Sequence, residues 1–396
     1  MTETTSAAPE HLELELQADQ AAARGDAVEA RRLLEQITRA DPDYFASWMK
    51  LAAMCRASGD HEAALGALSG ALRLSPFDFT ALLMKASLLE KSGQTTAAGE
   101  AYGHALAQRP EGDDLPAPIA AALAHAERQY AAHQDRLLQA LRTAARPAMA
   151  EGSEIESRRI DRFCTNVVRR TQPYHSTPTH FHFPDLPEVE FHDRRNFPWL
   201  ATLEAATDAI RGEFERLVAS EAAELVPYIQ YPEDVPLKQW AALNKSRKWT
   251  AIHLLQNGHR VEANARHCPA TMEVLRAIPQ PVAAGCSPNA MFSLLAPRTR
   301  IPPHVGVSNT RLVCHLPLIV PENCGFRVGA ETREWQPGKA WVFDDTIEHE
   351  AWNDSDKLRV ILIVDVWAWA LTAHEREAAA AILAASGITG FADGGL

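Results

Sequence analysis

Three glycines and three prolines recur in a single register in the first part of this chain, and this repeat restricts the fold more than any other feature. Successive positions are separated by 34 residues. A glycine permits a tight turn between two helices, and a proline placed after the second helix prevents its continuation. The spacing therefore predicts a helix pair that is used three times. The repeated positions are Gly25, Gly59 and Gly93, followed by Pro42, Pro76 and Pro110.

Small and apolar residues also recur at matching positions inside each unit. In period and in the placing of these residues, the segment 11–110 resembles the tetratricopeptide repeat (TPR). A stack of such repeats needs a cap, and the alanine-rich stretch 118–145 is the expected capping and linking helix. We therefore predict an α-helical TPR solenoid over residues 1–150. The recurring positions are Ala30, Ala64 and Ala98, then Leu34, Leu68 and Tyr102, and the second unit also keeps Trp48, Leu51 and Ala52.

The charge balance and the absence of long apolar runs reduce the number of partner classes. The chain has 39 Lys and Arg against 51 Asp and Glu, and the net charge of −12 disfavours binding to nucleic acid or to an anionic membrane surface. No run is long enough to span a bilayer, and the first residues lack the pattern of a signal peptide. We expect a cytoplasmic protein. The six cysteines form no CxxC pair, which favours reduced, structural thiols.

After about residue 155 the helical pattern gives way to short β-type runs separated by turn signals. Closely spaced strands without intervening helices predict an antiparallel jelly roll, also called a double-stranded β-helix, over residues 155–370. An amphipathic helix at 199–223 is expected on its outside, and a helix or tail at 371–396. The fold class is thus multidomain α + β. The predicted strands are 290–296, 310–320, 325–328, 339–343 and 358–367.

Strand alternation places charged side chains on the inner face of this barrel. Arg311, Val313 and His315 share one face of their strand, and Arg359 shares its face with apolar neighbours. An arginine within an apolar barrel strand is costly unless it meets an anion. Together these residues predict a pocket for a small dianion. For any one arginine taken alone, snorkelling to solvent or pairing with an acid is the favoured interpretation.

His304 and His349 are the candidate metal ligands, and they lie in the segments 301–318 and 341–367, each of which overlaps a predicted strand. Jelly-roll oxygenases hold Fe(II) with two histidines from different strands, and a carboxylate two residues after the first histidine usually completes the site. Gly306 occupies that position in this chain. Arg359 follows His349 by ten residues, where such enzymes place the cation for the far carboxylate of 2-oxoglutarate.

With these residues in view, the segment 184–367 resembles the aspartyl/asparaginyl β-hydroxylase family. The shared motifs are a His-x-Gly element at 304–306, an FDDxxxH element at 343–349 and an RxIxIxDVW strand at 359–367. The resemblance also includes the stretch around Trp249 and Asn264. It implies a Fe(II)- and 2-oxoglutarate-dependent dioxygenase that uses O₂ to hydroxylate a C–H bond.

The resemblance also implies a role for each matched residue. His304 and His349 would bind iron, with water in place of the carboxylate that Gly306 lacks. Ser293 and Arg359 would hold the distal carboxylate of 2-oxoglutarate.

The remaining matched residues would shape the rest of the pocket. His315 would meet the near carboxylate of 2-oxoglutarate, Trp249 would wall the pocket, and Arg311 would face the cosubstrate or an acid group of the substrate. Animal members of the family carry a second basic residue where this chain has Val313, so an acidic substrate is in doubt.

Apart from the resemblance, Asp344 and Asp345 stand just before His349 and would orient the iron ligands, or one of them would replace the missing carboxylate. We favour orientation, because the nearby turn also needs side-chain acceptors.

The favoured substrate is the β-carbon of an aspartyl or asparaginyl residue in a peptide or protein that the TPR domain presents. A small metabolite or a lipid acyl chain is an alternative, because bacterial lipid A hydroxylases resemble the same catalytic family. Dimerisation and orientation of the enzyme are the alternative roles for the TPR domain. A different class of function is a TPR interaction scaffold with an inactive oxygenase domain. Five further histidines are expected to lie at the surface or to serve in packing, without a role in the site. They are His175, His180, His182, His259 and His267.

Overall fold

A computed structural model describes residues 10–110, 112, 116–232, 234 and 236–387. These residues form two compact units that divide after Arg170. The first unit is helical, and the second contains two antiparallel sheets with helices. The last nine residues of the predicted C-terminal tail lie outside the described residues.

The helices of the first unit follow the 34-residue repeat. Gly25, Gly59 and Gly93 each separate two helices of a pair and have φ values of +81°, +79° and +73°. This left-handed region strongly favours glycine, which explains why the repeat uses it. The predicted three-fold helix pair is confirmed. The helices are α1 (Glu10–Ala23), α2 (Ala27–Ala40), α3 (Phe45–Ala57), α4 (His61–Leu74), α5 (Phe79–Lys91), α6 (Thr95–Leu106), α7 (Ala117–Glu151) and α8 (Glu154–Val167).

The end of the first unit differs from the position expected from the sequence. The predicted cap, α7, continues to Glu151 and is followed by α8, which the sequence pattern had placed in the second domain. Cys164 of α8 and Val168, which directly follows that helix, are buried against Leu138 of α7. This apolar contact is why α8 belongs with the repeats and why the units divide after Arg170.

The second unit contains a seven-stranded and a four-stranded sheet, in which every strand pair is antiparallel. The strands are β1 (Val226–Pro227), β2 (Trp249–Gln256), β3 (His259–Arg260), β4 (Ala290–Leu295), β5 (Thr299–His304), β6 (Arg311–Ile319), β7 (Cys324–Val328), β8 (Glu331–Glu334), β9 (Trp341–Phe343), β10 (His349–Asn353) and β11 (Arg359–Trp367). The large sheet has the order β1-β2-β4-β11-β6-β9, with β3 beside β2, and the small sheet has the order β5-β10-β7-β8.

All five predicted strands are present, and the predicted β-rich antiparallel domain is confirmed. The predicted helix at 199–223 is instead two helices that are interrupted at Ala206. The hydroxyl of Thr207 donates a hydrogen bond to the carbonyl of Glu204 at 2.6 Å, a local bond that competes with regular helical pairing. The helices of this unit are α9 (Leu200–Ala205), α10 (Thr207–Ala219), α11 (Glu262–Ala265), α12 (Pro269–Arg276) and α13 (Ala373–Ala385).

The two faces of the large sheet pack into two different cores. Leu312, Cys314 and Leu316 of β6 pack with apolar residues of α10 and α12. Val313, on the opposite face, packs with apolar residues of the small sheet. The predicted alternation along β6 is thus confirmed, and it directs one side of β6 into the space between the sheets. No helix in the described ranges is both long and apolar enough to cross a membrane.

Candidate active site

A cavity lies between the two sheets, and all seven side chains predicted for the site line it. The large sheet contributes residues from three central strands and from β2, whereas the small sheet contributes the two histidines. The predicted residues at the cavity are Trp249, Ser293, His304, Arg311, His315, His349 and Arg359.

The two candidate metal ligands are direct neighbours across a strand pair. His304 ends β5, His349 begins β10, and the two residues are register partners. Their ring centroids are 4.0 Å apart. The edge of Trp240 packs against the His304 ring with a centroid distance of 5.0 Å. The antiparallel register therefore brings together two imidazoles that are 45 residues apart in sequence.

The hydrogen bonds of these rings leave one nitrogen of each available to a metal ion. Nδ1 of His304 is 2.7 Å from the carbonyl of Pro302, and Nδ1 of His349 is 3.1 Å from the carbonyl of Ile347. A carbonyl only accepts, so Nδ1 carries the proton and Nε2 keeps its lone pair. Burial lowers the pKa of His304 well below its usual value and that of His349 to about 4, so both rings are neutral near pH 7. This donor set fits a divalent transition metal.

The carboxylate of Asp345 occupies the space beside Gly306. A Cβ atom at position 306 would overlap this carboxylate, and the amide of Gly306 donates a hydrogen bond to the Asp345 carbonyl at 2.6 Å. A side chain at 306 is therefore excluded. Within the described residues, no third His, Cys, Asp or Glu joins the two histidines as a metal-binding group.

At one end of the cavity, which we call the Arg359 end, a buried guanidinium has no carboxylate partner among the described residues. Arg359 is 1% exposed, and its Nη1 donates only long hydrogen bonds of 3.4 and 3.5 Å to the carbonyl and hydroxyl of Ser293. Its Nε has no hydrogen-bond partner among the described residues. Burial lowers the pKa of Arg359 to about 10, which reflects the cost of an unpaired charge. This end is built to receive an anion.

The other predicted residues at this end complete a polar and aromatic wall. The indole of Trp249 donates a hydrogen bond to the Ser293 hydroxyl at 3.1 Å. His315 is 5% exposed, and no described residue bonds its Nδ1. Burial, with a smaller contribution from Arg359, lowers the pKa of His315 well below its usual value. The neutral His315 ring can thus donate to a second oxygen of a bound acid.

At the other end of the cavity, the Arg311 end, the guanidinium already has two partners. Nη1 of Arg311 is 3.0 Å from Asp345 and 3.3 Å from Asp365. Burial alone would lower the pKa of Arg311, but the two carboxylates more than offset it and the pKa is raised. Burial raises the pKa values of both aspartates, and Arg311 opposes that shift. Arg311 is therefore held by an ion-pair network inside the protein.

The sequence had not singled out Asp365, although its signal was available. Asp365 lies on the cavity face of β11, in the same alternation as Arg359. Its Oδ2 accepts hydrogen bonds from the amide and the side chain of Asn289 at 3.1 and 2.9 Å. Extending the period-2 pattern along β11 would have found Asp365. Asn289 precedes β4 and carries no comparable pattern.

Aromatic residues from loops and edges also contribute, and alternation gives no signal for them. Trp335 stacks on the Arg359 guanidinium at 4.9 Å, and Tyr228 stacks on Trp249 at 3.8 Å. The exposed histidines expected to have other roles do not line this cavity. For example, His175 pairs with Glu188 at 2.8 Å on the surface.

The segment that contains the cavity is similar to a known family of proteins. Residues 204–368 match the family model for aspartyl/asparaginyl beta-hydroxylase. This segment is therefore similar to the aspartyl/asparaginyl β-hydroxylase family. The tetratricopeptide repeat model matches residues 16–79 and 56–114, as the repeat predicted. The residues that line the cavity all lie within 204–368, and the matches to the repeat model precede this segment in the sequence.

Proteins whose names give different functions are similar to part of this chain. The chain is 38% identical over 177 residues to an ornithine lipid ester-linked acyl 2-hydroxylase of Rhizobium tropici, a match of 44% of this chain and 59% of that protein. It is 37% identical over 153 residues to the human aspartyl/asparaginyl beta-hydroxylase, covering 38% of this chain and 19% of that protein. It is 31% identical over 212 residues to mouse aspartate beta-hydroxylase domain-containing protein 2, covering 52% and 59%. The matches therefore span less than two thirds of each of these relatives.

Proposed function

We propose that this protein is a Fe(II)- and 2-oxoglutarate-dependent dioxygenase that hydroxylates a C–H bond. The observation that carries the proposal is the unpaired guanidinium of Arg359, which is 1% exposed in the same cavity as two neutral imidazoles. An uncompensated buried cation costs several kcal/mol, on the order of the desolvation penalty of one ion. A dicarboxylic keto acid offsets that cost and can reach a metal ion at the same time.

Each residue has a part in this proposal. Nε2 of His304 and Nε2 of His349 would hold Fe(II), and the carbonyls bonded to Nδ1 fix the ring orientations. Arg359 and the Ser293 hydroxyl would hold the distal carboxylate of 2-oxoglutarate, and His315 would donate to its near carboxylate. When bound, iron supplies the O₂ chemistry that converts 2-oxoglutarate to succinate and CO₂ and inserts one oxygen atom into the substrate.

The remaining contacts keep these groups in place and exclude water. The Trp249 indole holds the Ser293 hydroxyl, so that hydroxyl keeps its own proton for a ligand oxygen. Trp335 covers the Arg359 guanidinium. We assign Asp345 to positioning instead of iron binding, because its Oδ2 is already paired with Arg311 at 3.0 Å. Water would complete the iron site.

The proposed substrate is the side chain of an aspartyl or asparaginyl residue, hydroxylated at its β-carbon in a peptide or protein. The family model supports this class, and TPR repeats are a known scaffold for peptide partners. A lipid acyl chain is the second candidate, favoured by the 38% identity to an acyl 2-hydroxylase. The non-enzymatic alternative is a TPR interaction scaffold with an inactive oxygenase domain.

Turnover of 2-oxoglutarate tests the enzymatic proposal. The purified full-length protein is expected to form succinate in the presence of Fe(II), 2-oxoglutarate and O₂, and His349→Ala is expected to abolish this activity. His175→Ala is the matched control, because His175 is exposed and does not line the cavity. Absence of both turnover and iron binding in the unmodified protein would favour the scaffold.

A truncation tests presentation by the TPR unit. The division after Arg170 defines a fragment that begins at Thr171. If the repeats present the substrate, the fragment loses turnover of peptides while it retains succinate formation without peptide. Equal loss of both activities would instead indicate that the repeats support the fold of the catalytic unit.

A further inference from the structure

The two ends of the cavity offer different charges to a bound ligand. This difference restricts the charge that the substrate can carry. At the Arg359 end no carboxylate from the described part of the chain pairs with the guanidinium, whereas Arg311 has Asp345 at 3.0 Å and Asp365 at 3.3 Å. The proposed function, on which this inference rests, assigns the Arg359 end to 2-oxoglutarate. The Arg311 end therefore remains for the substrate group that must be held during hydroxylation.

Arg311 is not available to a substrate carboxylate. Asp365 is fixed by two hydrogen bonds from Asn289, and Asp345 is anchored through its backbone to Gly306. Both aspartates are at most 5% exposed. An anionic substrate that took Arg311 would leave a fixed aspartate buried without its cation, and such a loss of a partner is strongly unfavourable.

Val313 leaves this end without another cation. It lies on the cavity face of β6 between Arg311 and His315, and its side chain is apolar. The charged residues that line the described part of the cavity are two arginines and two aspartates. A divalent metal ion and the dianion of 2-oxoglutarate balance each other, so a substrate carboxylate would add an uncompensated buried charge.

Asp345 also offers a specific hydrogen-bond acceptor. Its Oδ1 is buried and has no partner among the described residues, although the residue lines the cavity. A carboxylate oxygen needs a donor. A carboxamide supplies two N–H donors and no charge, whereas a carboxylate would place acceptor against acceptor.

From this arrangement we propose that the group held at the Arg311 end is an uncharged carboxamide, so that the chain hydroxylates asparaginyl side chains in preference to aspartyl side chains. Three features set this preference: Val313 provides no charge, Asp365 occupies Arg311, and Asp345 accepts from the amide nitrogen.

The test uses the full-length protein with Fe(II) and two peptide pools that have identical randomised flanks and a central Asn or Asp. Oxygen incorporation is measured by mass spectrometry, and succinate is measured in parallel with and without peptide. The proposal expects the Asn pool to react at least about tenfold more efficiently, a difference equivalent to roughly 1.4 kcal/mol. Equal reaction of the pools, or preference for Asp, would overturn it.

Variants identify the residues responsible. Val313→Arg adds a cation beside the paired Arg311 and is expected to narrow or reverse the preference, whereas Val313→Met adds similar bulk without charge and is expected to keep it. If Val313→Arg does not fold, Asp365→Asn releases part of Arg311 and is expected to shift the preference in the same direction. The assignment would be contradicted if Val313→Arg and Asp365→Asn both fold and both keep the same preference for Asn.

The succinate readout separates this inference from the proposed function. Succinate formation without oxygen incorporation into either pool overturns the carboxamide proposal and leaves the dioxygenase proposal intact. Absence of succinate under all conditions, together with absence of iron binding, overturns the dioxygenase proposal itself.

Discussion

Arg311 and Arg359 are buried guanidinium groups that line one cavity from neighbouring strands, yet their electrostatic surroundings are opposite. Arg311 has two carboxylates within 3.3 Å. Arg359 has a carbonyl, a hydroxyl and an indole face. Burial is therefore a poor guide to function by itself. A buried cation that the protein already pairs is part of the structure, and one that the protein leaves unpaired indicates a binding site for an anion.

The largest expected effect is on stability, when Arg311 is replaced. Arg311→Met removes the cation that pairs with two fixed aspartates, so the free energy of unfolding should fall by about 3–5 kcal/mol. Chemical denaturation near pH 7 measures this change. Arg311→Lys keeps the charge and should lose less unfolding free energy. If Arg311→Met were as stable as the unmodified protein, the ion pairs would not be the stabilising feature of this end.

The same substitution at the other end should have the opposite effect on stability and a large effect on binding. Arg359→Met removes an uncompensated charge, so stability without ligand should stay constant or rise by about 1–3 kcal/mol. Binding of 2-oxoglutarate should weaken about 100-fold, equivalent to roughly 3 kcal/mol. Calorimetric titration with a divalent metal present measures the affinity. An unchanged affinity for 2-oxoglutarate would mean that Arg359 does not hold this ligand and that the two ends of the cavity do not differ in this respect.

His192 shows a third way to bury an ionisable group, and pH reveals it. His192 is 8% exposed, its Nδ1 accepts from the Trp369 indole at 3.1 Å, and burial lowers its pKa to about 4. The folded pKa lies below the unfolded value, so the unfolded chain takes the proton first. Stability from this group is complete above about pH 6.5 and falls toward pH 4, by about 2–3 kcal/mol.

The matched variant for this pH effect is His192→Asn, in which the amide oxygen can replace Nδ1 as acceptor for Trp369. The difference in unfolding free energy between pH 7 and pH 4.5 should be smaller in the variant than in the unmodified protein. The other buried histidines still contribute to the pH dependence of both proteins. Identical differences would show that folding does not lower the pKa of His192.

The smallest expected effect concerns the polar contact at the Arg359 end. Ser293→Ala removes a hydroxyl that accepts from Trp249 and lies 3.5 Å from Arg359. The affinity for 2-oxoglutarate should fall about fivefold, equivalent to about 1 kcal/mol. Ser293→Thr keeps the hydroxyl and should lose less. A loss as large as that of Arg359→Met would mean that Ser293, and not the guanidinium, dominates this end.

Local periodicity predicted much of the fold and of the cavity lining. The 34-residue spacing gave the helix pairs, and alternation along β6 and β11 gave the face that carries Arg311, His315 and Arg359. These patterns are local consequences of backbone geometry, since side chains follow a period near 3.6 in helices and 2 in strands. They need no knowledge of which strands pair.

Features that depend on distant partners could not be read in the same way. The sequence shows Arg311, but its pairing with Asp365 depends on β6 lying beside β11. Four longer strands, β2, β5, β8 and β10, lack a clear alternating apolar pattern and were not predicted. The same applies to α8, which belongs to the first unit only because of contacts with α7.

The most direct test of the central claim is visible absorption of the protein under anaerobic conditions with Fe(II) and 2-oxoglutarate. A keto acid that chelates iron gives a charge-transfer band without any substrate or turnover. We expect the band to appear in the unmodified protein, to saturate at one iron per chain, to vanish in His349→Ala and to require more 2-oxoglutarate in Arg359→Met. Absence of the band in a folded protein that binds no iron would contradict the claim that two imidazoles and an unpaired arginine form one cofactor site.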